Sequence, residues 1–121
     1  MDSRRRFGNQ GEEVASEFLE RKGCKVIARQ TRTPYGEIDL IALDGGEVVF
    51  VEVKTRRDTR FGYPEEAVTP TKVRHMMNAA EHVLRERLWE TRPFRLDVVA
   101  ILWSAGKVPD IQHFVGIDAG F

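Results

Sequence analysis

Residues 36–55, GEIDLIALDGGEVVFVEVKT, hold two apolar-rich runs that meet at Asp44-Gly45-Gly46. That junction is a strong hairpin signal, because glycine supplies the backbone conformations a tight turn requires. Strands are expected over Glu37–Leu43 and Glu47–Thr55. The stretch is too apolar for a solvated loop and too charged for a plain core strand. Glu37, Asp39, Glu52 and Lys54 alternate with Ile38, Leu40, Val51 and Val53.

Side chains alternate faces along a strand. Glu37, Asp39, Ile41 and Leu43 therefore share a face of one strand, and Val48, Phe50, Glu52 and Lys54 share a face of the next. A two-residue loop at Gly45-Gly46 sets Asp39 opposite Glu52 and Glu37 opposite Lys54. A loop at Asp44-Gly45 sets Asp39 opposite Phe50, with Glu52 diagonal on the same face. A three-residue loop splits the charges unless a bulge restores parity. The first register is favoured, with opposed side chains about 5 Å apart.

Two carboxylates facing each other destabilise a strand pair. A divalent cation between them reverses the sign. Hard cations such as Mg²⁺ take oxygen ligands and often use only one or two carboxylates, keeping waters for the rest. Lys54, two residues beyond Glu52, brings an ammonium to the same face. It would orient a water attacking phosphorus or, if deprotonated, accept its proton, while the cation neutralises developing phosphoryl charge. Rigid strands suit groups that must be held this closely. The competing explanation is a cross-strand ion-pair ladder, Glu37 with Lys54 and Asp39 near Arg32 or Arg29, an arrangement that contributes little stability.

The rest of the chain frames this hairpin. A helix is expected from about Gln10 to Lys22, with Asn9 as N-cap and Glu12 in the capping-box position. Val14, Ala15, Phe18 and Leu19 recur at helical spacing, and Gly23 follows as terminator. Lys25–Arg29 reads as a short strand and Thr33-Pro34-Tyr35-Gly36 as a turn. Arg56–Val68 is a loop. A second helix begins near Pro70, capped by Thr69, with the stripe Val73, Met76, Met77, Ala80, Val83, Leu84 and Leu88, and is closed by Pro93. Leu96–Trp103 is an almost continuously apolar strand, and Ile111–Val115 adds an edge strand. The order α-β-β-β-α-β-(β) implies an α/β fold with a mixed central sheet flanked by helices.

A chain of 121 residues is expected to form one domain, residues 1–121, with a core over about 8–116 and a basic tail over 1–7. No apolar run is long enough for a membrane span, and no signal peptide is expected behind the N-terminal arginines. The lone Cys24 excludes an internal disulfide and a Cys-based metal site, and fits a reducing, cytoplasmic setting as a small packing residue. Nineteen basic and nineteen acidic residues cancel, which argues against coating nucleic acid by bulk electrostatics but leaves room for local patches.

Together these motifs resemble the PD-(D/E)-x-K nuclease superfamily, through Asp39 and Glu52-Val53-Lys54. More narrowly, Gly8-x-x-Gly11-Glu12-x-x-Ala15, Gly36–Ala42, Val49–Arg56, Phe61-Gly62-x-Pro64-x-Glu66-Ala67-Val68 and Asp97-Val98-Val99 resemble the YraN-like family. Those are small bacterial proteins similar to Holliday-junction resolvases and expected to be endonucleases. The resemblance implies a restriction-endonuclease/resolvase-like core and a DNA endonuclease dependent on Mg²⁺ or Mn²⁺, acting on branched or processed DNA. It implies Asp39 and Glu52 as metal ligands, the Val53 carbonyl as a third, and Lys54 as the catalytic lysine. Glu12 matches the additional acidic residue that helps hold the attacking water, and Glu37 belongs to the motif, paired with Lys54. Resolvase-like relatives act as dimers on two-fold-symmetric substrates, so a homodimer is implied.

Arg56, Arg57 and Arg60 leave the third strand beside the carboxylates, together with Phe61 and Tyr63. Arginines with aromatics suit phosphate contact and base stacking on DNA. Lys72 and Arg74 sit at the start of the second helix, where a backbone phosphate would dock, although a solvated helical face explains them as well. The alternative function is a nucleic-acid- or partner-binding module that keeps the nuclease scaffold with little turnover.

Overall fold

The hairpin closes through the two residues its composition favours. The computed structural model of the chain describes residues 3–121. In it β2 (Gly36–Asp44) and β3 (Glu47–Arg56) pair antiparallel from Asp44↔Glu47 to Leu40↔Val51, with Gly45 at φ 59° in the turn. This is the favoured register. Before it lie α1 (Ser3–Arg21) and β1 (Lys25–Thr33). After it come a short 3₁₀ turn (Pro64–Ala67), α2 (Pro70–Glu86), β4 (Phe94–Leu102) and β5 (Asp110–Phe114). The sheet order is β1-β2-β3-β4-β5, with β3 and β4 parallel and every other pair antiparallel. The expected α/β architecture is the observed one.

The helices cover opposite faces. Ala15 and Leu19 of α1 pack on Val49, Val51, Val53, Val99 and Ile101. Val73, Met76, Ala80, Val83 and Leu84 of α2 pack on Ile41, Val48, Phe50, Leu96 and Val98. The alternation of β3 between the two cores follows from its pleat. Cys24 is buried on the α1 side, as its small apolar character suggests.

Three expectations need correction. Residues 3–7 are not a tail and α1 does not begin at Gln10: the helix starts at Ser3, because the apolar stripe extends back to Phe7, whose ring packs 6.1 Å from Trp103. Asn9 is therefore not an N-cap, and Glu12 stands in mid-helix rather than in a capping box. Gly11 is explained by packing, since a Cβ there would collide with Thr55 Oγ1. Residues 1 and 2 of the expected tail lie outside the described residues. At the other end, α2 stops at Glu86, well before Pro93. Leu88 takes the left-handed position at φ 57° and is 84% exposed, so it is not part of the stripe. Trp89 N–H then donates to Leu84 O (2.8 Å) and Leu88 N–H to Arg85 O (3.2 Å), a Schellman closure that turns Trp89 back onto the core. The third correction concerns β1, which continues past Arg29 to Thr33 and pairs with β2 along its length.

Candidate active site

The site forms where β2 and β3 part. Their pairing ends at Leu40↔Val51, one step short of Asp39 and Glu52. Strict alternation also fails here: Ile38 and Ile41 both enter the α2-side core, while Leu40 and Ala42 enter the other. Opposite, in β1, Gln30 sits at φ 49° between the pairs Arg29↔Leu40 and Thr31↔Ile38. Freed from the ladder, Asp39 reaches β3, where its Oδ2 accepts from the Val53 N–H at 2.8 Å. Neither Arg29 nor Arg32 pairs with Asp39. Arg29 binds Glu13 and Ser16, and Arg32 lies 4.0 Å from Glu37.

Glu52 continues the α2-side face of β3 and is only 5% exposed. A carboxylate so buried requires cationic or hydrogen-bonding partners. It has two ammonium groups: Lys54 Nζ at 3.6 Å and Lys72 Nζ at 3.5 Å, both from Oε1. The expected Glu37–Lys54 pair is therefore replaced by Glu52–Lys54, and Glu37 pairs across β1–β2 with Arg32 instead. Lys72 belongs to the carboxylate cluster, which its position on a helix did not disclose. The signal was present in Thr69-Pro70: the Thr69 hydroxyl accepts from Lys72 N–H at 3.2 Å and fixes the first turn of α2 over the sheet.

Burial first, and then the adjacent Glu52 carboxylate, push the Asp39 pKa up to about 8, against the opposing hydrogen bond from Val53. Asp39 thus retains its proton at neutral pH. Glu12 is also raised, chiefly by burial; donation from Gln30 Nε2 (3.1 Å) opposes this, and the Glu37 and Glu52 charges add to it. Glu12 on α1 thus comes to the same place as Asp39 on β2 and Glu52 on β3. All three line an open cavity of about 620 Å³, with Val53, Lys54, Arg56, Arg57 and Phe61. The Arg57 guanidinium lies 4.0 Å above the Phe7 ring. Arg60 and Arg74 are not in this cavity. Arg74 bonds Thr71 Oγ1 at 3.0 Å on the exposed side of α2.

The donor set is chemically suited to a hard divalent cation: two adjacent carboxylate groups, of which Asp39 is held largely protonated at neutral pH without one. Among the described residues, no three His, Cys, Asp or Glu side chains converge as a ready-made metal cluster. The arrangement suits an ion held by two carboxylates and solvent rather than by a closed protein cage.

A family model described as Uncharacterised protein family UPF0102 matches residues 11–101, which span α1 from Gly11 through Ile101 in β4. The chain belongs to the UPF0102 family. This is the YraN-like family that the motifs resemble. A UPF0102 protein of Caldicellulosiruptor saccharolyticus is 46% identical over 111 residues, covering 91% of this chain and 94% of its own. One from Mycolicibacterium vanbaalenii is 42% identical over 116 residues, with 96% of each chain covered. One from Symbiobacterium thermophilum is 52% identical over 97 residues, covering 80% of this chain and 82% of its own. The UPF0102 match includes Glu12, Asp39, Glu52, Lys54 and Lys72. Among the described residues, no helix of this UPF0102 chain is long and apolar enough to cross a membrane.

Buried beyond the cavity lies a polar group that the motifs include but to which they assign no role. Asp97 is 0% exposed. It accepts from Arg95 Nε at 3.0 Å, His113 Nε2 at 2.7 Å and Gly116 N–H at 3.0 Å. Lys22 Nζ lies 2.8 Å from His113 Nδ1, so Nδ1 accepts and Nε2–H donates to Asp97. Arg95 also binds Asp44 and Glu47, the two residues that flank the hairpin turn. Burial alone would raise the Asp97 pKa; its hydrogen bonds from His113, Arg95 and Gly116 outweigh that and hold it below the usual range. The sequence signal was a lone acid within LDVVAILW, where a buried charge demands partners.

Proposed function

We propose that this UPF0102 chain is a divalent-metal-dependent endonuclease that hydrolyses DNA phosphodiesters, including those of branched or processed DNA. The observation that carries the reading is that the Asp39 and Glu52 carboxylates, just beyond the last paired residues of the hairpin, line one cavity, with Lys54 Nζ 3.6 Å from Glu52. Asp39 and Glu52 would hold Mg²⁺ or Mn²⁺, with the Val53 carbonyl as a further oxygen donor. The cation would supply neutralising charge for the phosphoryl oxygens and acidify the attacking water.

The side chains divide the remaining work. Lys54 orients the water on the cavity side of β3. Glu12, held by Gln30, accepts a hydrogen bond from the same water across the cavity. Lys72 anchors Glu52 from the α2 side and is not a remote phosphate contact. Arg56 and Arg57 receive the phosphates that flank the reacting one. Glu37 acts through Arg32 and charge rather than through Lys54. Arg60 and Arg74, which do not line the cavity, take no part in this step. Symmetric pairing of two chains belongs to the same reading, and light scattering tests it.

A cleavage panel tests the function: single strand, duplex, flap, nick and four-way junction, each with Mg²⁺ or Mn²⁺. Lys54→Ala is expected to lower the rate by about 10²–10⁴-fold in a chain that still folds, because Lys72 keeps Glu52 paired. Wild-type hydrolysis by Lys54→Ala, or no cleavage of any substrate by the parent chain, would remove the catalytic assignment. A second reading, a nucleic-acid- or partner-binding module with little turnover, is favoured by the two ammonium groups, Lys54 and Lys72, that already compensate Glu52. Salt-sensitive DNA binding without uptake of Mg²⁺ or Mn²⁺ would select it.

A further inference from the structure

Gly8 stands inside α1, where glycine weakens a helix relative to alanine. Two structural reasons normally account for such a residue. A left-handed backbone is one, and Gly8 is not among the positive-φ glycines. Close approach of another element is the second, and it accounts for Gly11, which abuts Thr55. It does not account for Gly8: among the described residues, a Cβ there would meet nothing within 4 Å. The packing of the described residues leaves the space above Gly8 open.

That space lies between two recesses. Gly8 and Glu12, one helical turn apart, line both of them. One is the carboxylate cavity of about 620 Å³, edged by Arg57 and by Phe61, which is 85% exposed. The other, of about 570 Å³, is bounded by Arg5, Gln30, and Arg32 with its partner Glu37. Gly8 is thus the low point of the ridge that separates two arginine-bearing hollows. Phe7, packed on Trp103 beneath Arg57, fixes this part of the helix.

We propose that a single unpaired DNA strand crosses α1 at Gly8, its sugar–phosphate backbone occupying the space a side chain would fill. This rests on the reading of the carboxylate site as one that takes a phosphodiester. The strand passes from Phe61 and Arg57, over the carboxylates, to Arg5 and Arg32. An exposed ring at the cavity edge serves as a stacking platform only for a base without a partner.

Gly8→Ala in the full chain separates this role from a structural one. Binding is read by fluorescence anisotropy with Ca²⁺ in place of Mg²⁺, using a labelled single-stranded oligodeoxynucleotide and the duplex of the same sequence. The alanine variant should melt about 2–5 °C higher, because it is the better helix former. It should nevertheless bind the single strand about tenfold more weakly. Gly8→Leu should bind more weakly still, and Arg32→Ala should lower both affinity and its salt dependence. Unchanged affinity in Gly8→Ala, a lower melting temperature for it, or parent binding to duplex as tight as to single strand would overturn the proposal. A parent chain that binds the strand in this Gly8-dependent way but never cleaves would sink the nuclease reading alone. Cleavage that persists with Gly8-independent binding would sink this one alone.

Discussion

In metal-free buffer above pH 8, Asp39→Asn should be more stable than the parent chain by about 2 to 4 kcal/mol. The sign follows from proton binding. Asp39 holds its proton up to about pH 8 when folded but releases it near the ordinary value of 3.8 when unfolded. Between those values the folded state binds more protons, so stability falls as pH rises through the window. Asparagine keeps the shape and can still accept from Val53 N–H, but it carries no charge to repel Glu52. The full linkage value is larger; partial exposure of Asp39 and screening by solvent reduce it. Below pH 4 the two chains should converge. Chemical denaturation in EDTA at acid and alkaline pH checks this, and a less stable variant at alkaline pH would mean that the two carboxylate groups do not repel.

Asp97→Ala should have the opposite and larger effect, a loss of about 3 to 5 kcal/mol at neutral pH. Removal of the carboxylate leaves His113 Nε2–H and Gly116 N–H without their acceptor and part of the Arg95 guanidinium without its counter-charge. Set against a total stability of roughly 5 to 15 kcal/mol, this loss brings the chain close to unfolding. Because the folded Asp97 pKa is depressed, its contribution is complete above the ordinary carboxylate pKa and is lost as pH falls through the lower folded value. Urea unfolding of Asp97→Ala beside the parent measures it. A change below about 1 kcal/mol would show that the network carries no more than a typical surface ion pair.

The hairpin was legible because two independent signals agreed: glycines at a turn, and alternation on either side of it. Its register followed, and with it the meeting of Asp39 and Glu52. The irregularity at Asp39 was not legible, since it depends on Gln30 adopting φ 49° in the neighbouring strand. That irregularity turns Asp39 towards Val53 and leaves Glu37 to Arg32. The start of α1 was hidden by the arginines at 4–6, which read as tail, and by Gly8, which local propensity places outside a helix; only Phe7 announced the longer helix. Lys72 could not be assigned to Glu52 from spacing, because twenty residues separate them in sequence and only the packing of α2 on β3 brings them within 3.5 Å.

Calorimetric titration of Mn²⁺ into the parent chain and into Asp39→Asn and Glu52→Gln, near pH 7 in two buffers of different ionisation enthalpy, tests most directly whether these carboxylates share an ion. The parent should bind Mn²⁺ at one site with release of a proton, and both variants should lose that uptake. No uptake by the parent, or equal uptake by all three chains, would contradict the claim.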